Sequence, residues 1–485
     1  MMRKKVTDYA LYRWRFIIGY SVIALCIVTL LLVASFLVPG GISEQEKSSA
    51  IASSALSFSS FSPEMIVHLP YHLLQKASIS LFGLSEISIK LPSLILAIAS
   101  AVGMVTLLRA WFRPNIAILA TIIVITTGQF LFVSQSGSPS IIYIFWSVWL
   151  LASALMVSRR AKGLLAWKIA LFSLAALSLY TPLSIYMLVA LLSAALLHPH
   201  LRYLIRQMLS NKGRVSVASI VALCLMAPLA YAIYKDTSVG LLLLGVPDVW
   251  PQLMHNISEL TNYYFDFISP GSGIIMKPVY GLGTLGLIVI GLVKLVTTNY
   301  TARSYIITAW SVLLLPVLII NPSYITITFI PAMLLVAMGV ESLLQYWYTL
   351  FPRNPYARIV GIIPLTVLIT GMTLSGVGRF MYGYTYDPQT AGHFSQDLRL
   401  LNTELSTQAT TPITIVTTNA ESSFYKLLAN RYPSVDISAT PPEKSGQKTI
   451  ISHAAYHQQQ QPDREVERIL TDKSSSKADR FYIYN

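Results

Sequence analysis

Apolar runs of about 15–23 residues recur through the first 380 positions of this chain. Each is near the ~20 residues needed to cross ~30 Å of hydrocarbon. Eleven can be counted, at about 16–38, 88–108, 115–133, 141–158, 164–180, 182–197, 215–234, 279–297, 305–320, 324–344 and 359–378. Only helices and closed barrels satisfy every backbone polar group inside lipid. A chain patterned this way therefore reads as an all-α polytopic membrane protein of about eleven transmembrane helices. Several runs carry Pro, Gly or polar residues, which suits a bundle packed around a site. Two of the boundaries need argument. The stretch 164–197 is basic at both ends, so both ends belong on one side, and Thr181-Pro-Leu-Ser184 is the turn of a hairpin. The same logic divides 305–344 at Asn321-Pro322-Ser323. The run 16–38 is long for a cleaved leader and reads as a retained anchor.

Charge sets the orientation. Of the net +14, the loops assigned inside hold 19 Lys and Arg against only Asp8 and Glu341. The outer loops hold 5 basic and 8 acidic residues. This follows the positive-inside rule and places the N-terminus in the cytoplasm, with the C-terminal end extracytoplasmic. The basic residues track sidedness rather than forming one face, which argues against a nucleic-acid partner. Cys26 and Cys224 both fall within spans, so no disulfide framework or cysteine metal site is expected.

Two parts follow: a membrane domain over residues 1–378, with long outer loops at about 39–87 and 235–278, and an extracytoplasmic C-terminal domain over 379–485. The second reads as a small α/β unit. Pro412–Thr417, Lys448–Ser452 and Phe481–Tyr484 have strand character, and Asn419 can cap a helix over Glu421–Asn430. Gln458–Gln461 is a polar loop tract.

The segment after the first run carries most of the chemistry. Glu44 and Glu46 follow Pro39-Gly40-Gly41. A carboxylate half-buried at a membrane surface can gain basicity and act as a general base. Ser43 and Glu46 also fit a capping box at a helix start, and the two readings are compatible. His68-Leu-Pro-Tyr71-His72 offers imidazole and phenol to a phosphate, or simply an interfacial aromatic belt. Lys90 is a cation on the outer side of the second span. It suits a polyprenyl phosphate, or snorkels and pairs with Glu86 at i, i+4. Gln135–Ser140 is a polar, uncharged turn. Asp236, Asp248, His255, Glu259 and Asp266 lie in the second long outer loop without metal-ligand spacing, so no metal or other cofactor is indicated, although a divalent ion is chemically compatible with such a set. Asn256-Ile-Ser258 has the form of a glycosylation sequon.

The stretch His68–Ser93 resembles membrane glycosyltransferases of the C-type fold, in particular the group containing protein O-mannosyltransferases and lipid-A aminoarabinose transferases. Their Pro-rich strip, followed by LFG-x-SE-x-x-x-RLPS, is similar to HLPYHLL and LFGLSEISIKLPS here, with Lys90 at the usual arginine. The likeness covers about residues 39–190 and includes Leu107–Phe112 as the cytoplasmic turn. The family's first outer loop usually carries an Asp-Glu pair, where Gln45-Glu46 stands here, preceded by Glu44. Its second outer turn often carries an acid, where Ser138-Pro139-Ser140 stands. The resemblance implies transfer of a hexosyl or pentosyl group from a polyprenyl-phosphate donor to an extracytoplasmic acceptor (protein, lipid or cell-envelope glycan). Glu46, with Glu44 second, would activate the acceptor; Lys90, His68 and Tyr71 would hold the donor phosphate. The other reading is a catalytically degenerate lipid-linked-sugar binding protein or a flippase. The span interiors are almost free of acids and bases, unlike a transporter with charged midplane sites.

Overall fold

The computed structural model describes residues 10–36, 41–57, 62–159, 163–210, 212–247, 249–267, 276–298, 301–350, 356, 360, 362–387, 392–407, 412–442, 448–458, 465–472 and 479–484. Pro39, Gly40, Asp248 and Gln459–Gln461 lie outside them, as do the first nine residues.

The described part of each apolar run is largely helical, with Thr126–Thr127 and the turn at Pro182–Leu183 among the exceptions. In chain order the helices are α1 (Ala10–Phe36), then the more polar helices α2 (Glu44–Ala55) and α3 (Leu69–Phe82), then α4 (Glu86–Trp111), α5 (Pro114–Ile125), α6 (Gly128–Gln135) and α7 (Ile142–Ser158). They continue as α8 (Leu164–Ser178), α9 (Ser184–Leu197), α10 (Pro199–Ser210), α11 (Lys212–Lys235), α12 (Thr237–Leu244), α13 (Leu253–Phe265), α14 (Leu282–Thr297), α15 (Ala302–Ile320), α16 (Phe329–Leu350) and α17 (Ile362–Tyr386). Among the described residues seven helices are long and apolar enough to cross a membrane, or nine if two bent pairs each count once. The α8 and α14 helices are apolar but shorter. This is a multi-pass membrane protein, and the figure of eleven spans remains an expectation.

Proline and glycine set the breaks. The α8–α9 hairpin turns at Thr181–Leu183, where Leu183 adopts φ 63°. The α15–α16 division falls at Asn321-Pro322, where a short 3-10 segment follows. A less obvious break interrupts the third run: α5 stops at Ile125 and α6 restarts at Gly128, bent by 66°. Thr127 caps the restart by accepting a hydrogen bond from the Phe130 N–H. Gly376 of α17 lies so close there that a Cβ would fall 2.0 Å from the Thr126 carbonyl oxygen. The bent pair is thereby clamped to the last membrane helix.

The C-terminal part holds a five-stranded sheet of order β4-β3-β5-β7-β6, with β3 (Ile413–Val416), β4 (Val435–Ser438), β5 (Lys448–Ser452), β6 (Arg468–Thr471) and β7 (Asp479–Tyr484). The three expected strands are present as β3, β5 and β7. The first three in the order run parallel, and β7 is antiparallel to both its neighbours. The helix Asn419–Ala429 connects β3 to β4, and its cap position is Thr418, not Asn419, with no side-chain capping bond.

The sheet does not stand apart from the membrane-side segments. Strand β1 (Ile42–Ser43) pairs antiparallel with β2 (Phe394–Ser395), Ile42 opposite Ser395. A Cβ on Gly41 would fall 2.3 Å from the Ser395 carbonyl oxygen, so only glycine fits. Ile42, Ala50, Leu84 and Ile89 share one apolar cluster with Leu398, Leu401, Phe424 and Ile483.

Candidate active site

Helix α2 begins with the expected capping box. The Ser43 hydroxyl accepts the Glu46 N–H at 3.3 Å, and Glu46 Oε2 accepts the Ser43 N–H at 2.8 Å. The geometry then parts from the simplest reading of the two glutamates. Glu46 is fully buried, and its other oxygen, Oε1, accepts the Gly137 N–H at 2.5 Å. Lys90, 2% exposed, lies 3.9 Å from that same oxygen. Its ammonium also donates to the Gly41 carbonyl at 2.8 Å and to Gln135 at 3.3 Å. Thus Lys90 pairs with Glu46 and not with Glu86, because α4 turns it inward beneath α2. A buried ion pair persists only when further hydrogen bonds satisfy both partners, and here both are satisfied. Glu46 and Lys90 together clasp the α2 start, the top of α4 and the turn at Gly137.

A second buried assembly lies beside the clasp. Gln75 of α3 donates to the carbonyls of Ile89 and Gly137 and accepts from the hydroxyls of Ser49 and Ser53. All four of its hydrogen-bonding positions are used. Ser53 also meets His72 Nδ1 at 2.9 Å. Nothing in local patterning singled out Gln75. The spacing of Ser49 and Ser53 at i, i+4, facing His72 and Gln75 at i, i+3, was the available signal.

His68 and Tyr71, expected near a phosphate, are turned into the protein. Tyr71 is fully buried with its hydroxyl 2.8 Å from that of Ser93. His68 takes the left-handed conformation, φ 54°, at the start of α3. Burial, with His72 nearby, depresses its pKa to about 3, and burial depresses that of His72 to about 4. Both imidazoles are therefore neutral near pH 7 and offer a phosphate no charge.

Glu44 points the other way. Its side chain is 84% exposed and accepts from Lys47 at 2.8 Å. With Gln45 it lines a cavity of about 140 Å³. The opposite walls are Gln129 of α6, the hydroxyls of Ser136, Ser138 and Ser140, and His393 at the start of the C-terminal part. The three serines form a ladder, with Oγ–Oγ distances of 2.7 and 3.2 Å. The turn read as merely polar is thus the cavity wall.

The bend between α5 and α6 opens a second space, of about 310 Å³, lined by Thr127, Gly128, Gly281, Gly283, Ser375 and Arg379. Arg379 lies against Gly128 and Gly281 and donates one N–H to the Pro278 carbonyl at 2.9 Å. Its position, a cation near the end of the last apolar run, is the same anomaly that drew attention to Lys90. The two spaces share α6 as a wall. A third groove, about 480 Å³ and mostly apolar, runs between α13, α15 and α16 past Tyr264 and Thr328. Among the described residues no three acidic, His or Cys side chains converge as a metal site.

These features define a polytopic helical membrane protein in which the segment after α1 and the C-terminal part meet over a cavity with a serine-lined wall, and its fold is that of the C-type glycosyltransferases. Solved structures bear the fold out. ArnT from Cupriavidus metallidurans bound to undecaprenyl phosphate superposes with a TM-score of 0.53 at 12% identity, over 96% of this chain and 98% of that one. Its apo state gives 0.54 at 13% identity over the same shares. The Archaeoglobus fulgidus oligosaccharyltransferase tethered to an acceptor peptide gives 0.52 at 13% identity, over 88% of this chain and 64% of that one. No protein-family model matches the chain, nor does any curated protein.

Proposed function

We propose that this protein is a membrane glycosyltransferase that moves a sugar from a polyprenyl-phosphate donor to an acceptor outside the membrane. The observation that carries the reading is the end-to-end likeness to ArnT together with a cavity that has a serine-lined wall and is bordered by a solvent-facing carboxylate, Glu44. ArnT was solved with undecaprenyl phosphate, which supports a polyprenyl phosphate as the donor's lipid part. The N-terminus inside and the C-terminal part outside follow from the loop charges, and the proposed division falls at 378/379.

In this scheme Glu44 takes the proton of the acceptor hydroxyl or amine as it attacks C1 of the sugar. The C1–phosphate bond breaks, and the phosphate leaves with the bonding electrons. Arg379 neutralises that developing charge from the space beyond α6, and the serine ladder orients the sugar by hydrogen bonds. Such a site works by positioning and preorganised charge. Glu46 and Lys90 are assigned a positioning role: they fix the α2 start on which Glu44 rides. This reverses the order expected from the resemblance. Glu46 is fully buried and Lys90 nearly so, both fully partnered, whereas Glu44 borders the cavity.

One observation favours the non-catalytic reading: among the described residues Glu44 is the single carboxylate on the cavity, and it already pairs with Lys47. Proteoliposomes supplied with labelled polyprenyl-phosphate sugars separate the two readings. Transfer by the native protein, reduced ~10²–10⁴-fold by Glu44→Gln, is the expected result, that being the usual worth of a general base. Binding of those lipids without any transfer supports the binder or flippase instead.

A further inference from the structure

A groove of about 640 Å³ lies apart from the cavity, where the ends of α1 and α4 meet the helix Asp397–Thr407. Its floor holds two polar atoms that are buried and without a hydrogen-bond partner, Ser35 Oγ and Glu86 Oε1. Ser35 itself is only 3% exposed. An unpartnered buried oxygen is costly, more so when charged, so each calls for an occupant. Lys90, the cation expected to satisfy Glu86, is engaged by Glu46 and Gly41. Arg399, whose charge acts on Glu86, and Arg431, packed against Gly83, also line the groove, and among the described residues neither forms an ion pair within 4.0 Å. Ile87 and Phe36, which line the same groove, are exposed apolar side chains at the ends of the membrane-length helices α4 and α1.

We propose that this groove binds the headgroup of a membrane phospholipid bearing both a phosphodiester and a primary ammonium, of the phosphatidylethanolamine kind. The guanidinium groups and the Ser35 hydroxyl suit the phosphate oxygens. The Glu86 carboxylate, which can only accept, suits an N–H donor of the ammonium. The exposed Ile87 and Phe36 lie where the acyl chains depart. An anionic glycerol headgroup brings Glu86 only neutral hydroxyl donors and no cation, and a quaternary choline has no N–H to give it. A free phosphate satisfies the arginines alone.

Native mass spectrometry of the delipidated full chain in detergent tests this, with phosphatidylethanolamine, phosphatidylcholine and phosphatidylglycerol of matched acyl chains added separately. Phosphatidylethanolamine is expected to bind at least about three-fold more tightly than either of the others. Arg399→Ala with Arg431→Ala, both at exposed positions, is expected to weaken it about ten-fold. Glu86→Gln is expected to abolish the preference for ethanolamine over glycerol headgroups while leaving phosphatidylglycerol bound. Equal affinity of the native chain for all three lipids overturns the proposal, as does unchanged binding in the arginine pair. Soluble O-phosphoethanolamine binding as tightly as the lipid overturns the assignment to a membrane lipid.

Discussion

Replacing Glu46 by Ala removes the acidic half of the buried clasp. Among the described residues Lys90, 2% exposed, then keeps the Gly41 carbonyl and the Gln135 amide as hydrogen-bond partners, with the charge of Glu86 further off. Breaking a buried ion pair from one side costs about 3–5 kcal/mol. The N–H groups of Ser43 and Gly137 lose their acceptor as well. These losses overlap, so about 3–5 kcal/mol is the expected total. Lys90→Met is expected to cost less, about 1.5–3 kcal/mol, because Glu46 keeps two backbone N–H donors. In the double variant the penalties should not add, since the second change removes the charge that the first left stranded. Size-exclusion-monitored melting in detergent reads this directly. Glu46→Ala should lower the melting temperature by on the order of 5–10 °C, using the ~2 °C per kcal/mol typical of large domains. A shift below about 1 °C, with additive effects in the double variant, refutes the clasp. It would mean that both charges are solvated and free for substrate, as the resemblance to the family first implied.

Arg379→Gln should weaken binding of a polyprenyl phosphate by about ten- to a hundred-fold, the worth of a charged hydrogen bond, measured by lipid competition on the purified protein; unchanged affinity would move the phosphate elsewhere. The two buried imidazoles predict a pH dependence. Their folded values, about 3 for His68 and about 4 for His72, lie below the ordinary 6.5, so the unfolded chain takes up more protons as pH falls through 6.5. Their contribution to stability is thus complete above about pH 6.5 and declines below it, at up to about 1.4 kcal/mol per pH unit for each group. His68→Asn, which tolerates the left-handed backbone but does not titrate, should flatten the melting profile between pH 6.5 and 5. An identical profile in the variant would show that His68 is solvated.

Much of the bundle was legible because its signals are local. Apolar runs locate the helices, the prolines at 182 and 322 mark real turns, and Ser43 with Glu46 forms the capping box that their spacing suggests. The strands β3, β5 and β7 are apolar enough to stand out. Strand β6 is largely exposed and β4 only half-buried, so neither carries a strong apolar pattern. What local pattern could not reveal is the direction in which a side chain points once elements pack. Glu44 and Glu46 are two positions apart, which on a helix puts them on different faces, one in the cavity and one in the protein. The choice between faces is made by Gly137, 91 positions further along the chain. Lys90 likewise had Glu86 one turn away as the local partner and took a more distant one. Arg379 carried the same signal as Lys90, a cation near the end of an apolar run, but with no motif around it.

The pairing of Ile42 with Ser395 has a consequence in time. These two residues are separated by roughly 350 positions, so at the usual ~5–20 residues per second of synthesis the first waits about 20–70 s for the second. Throughout that interval Ile42 and Ala50 have no Leu398 or Phe424 to cover them. The Glu46–Lys90 clasp and its Gly137 anchor are complete far earlier, once α7 has emerged. A nascent chain can therefore dock α2 on α4 by polar contacts first and close its apolar side last. A ribosome-bound intermediate that has not yet reached Ser395 should leave the edge at Gly41–Ser43 unpaired and open to a chaperone.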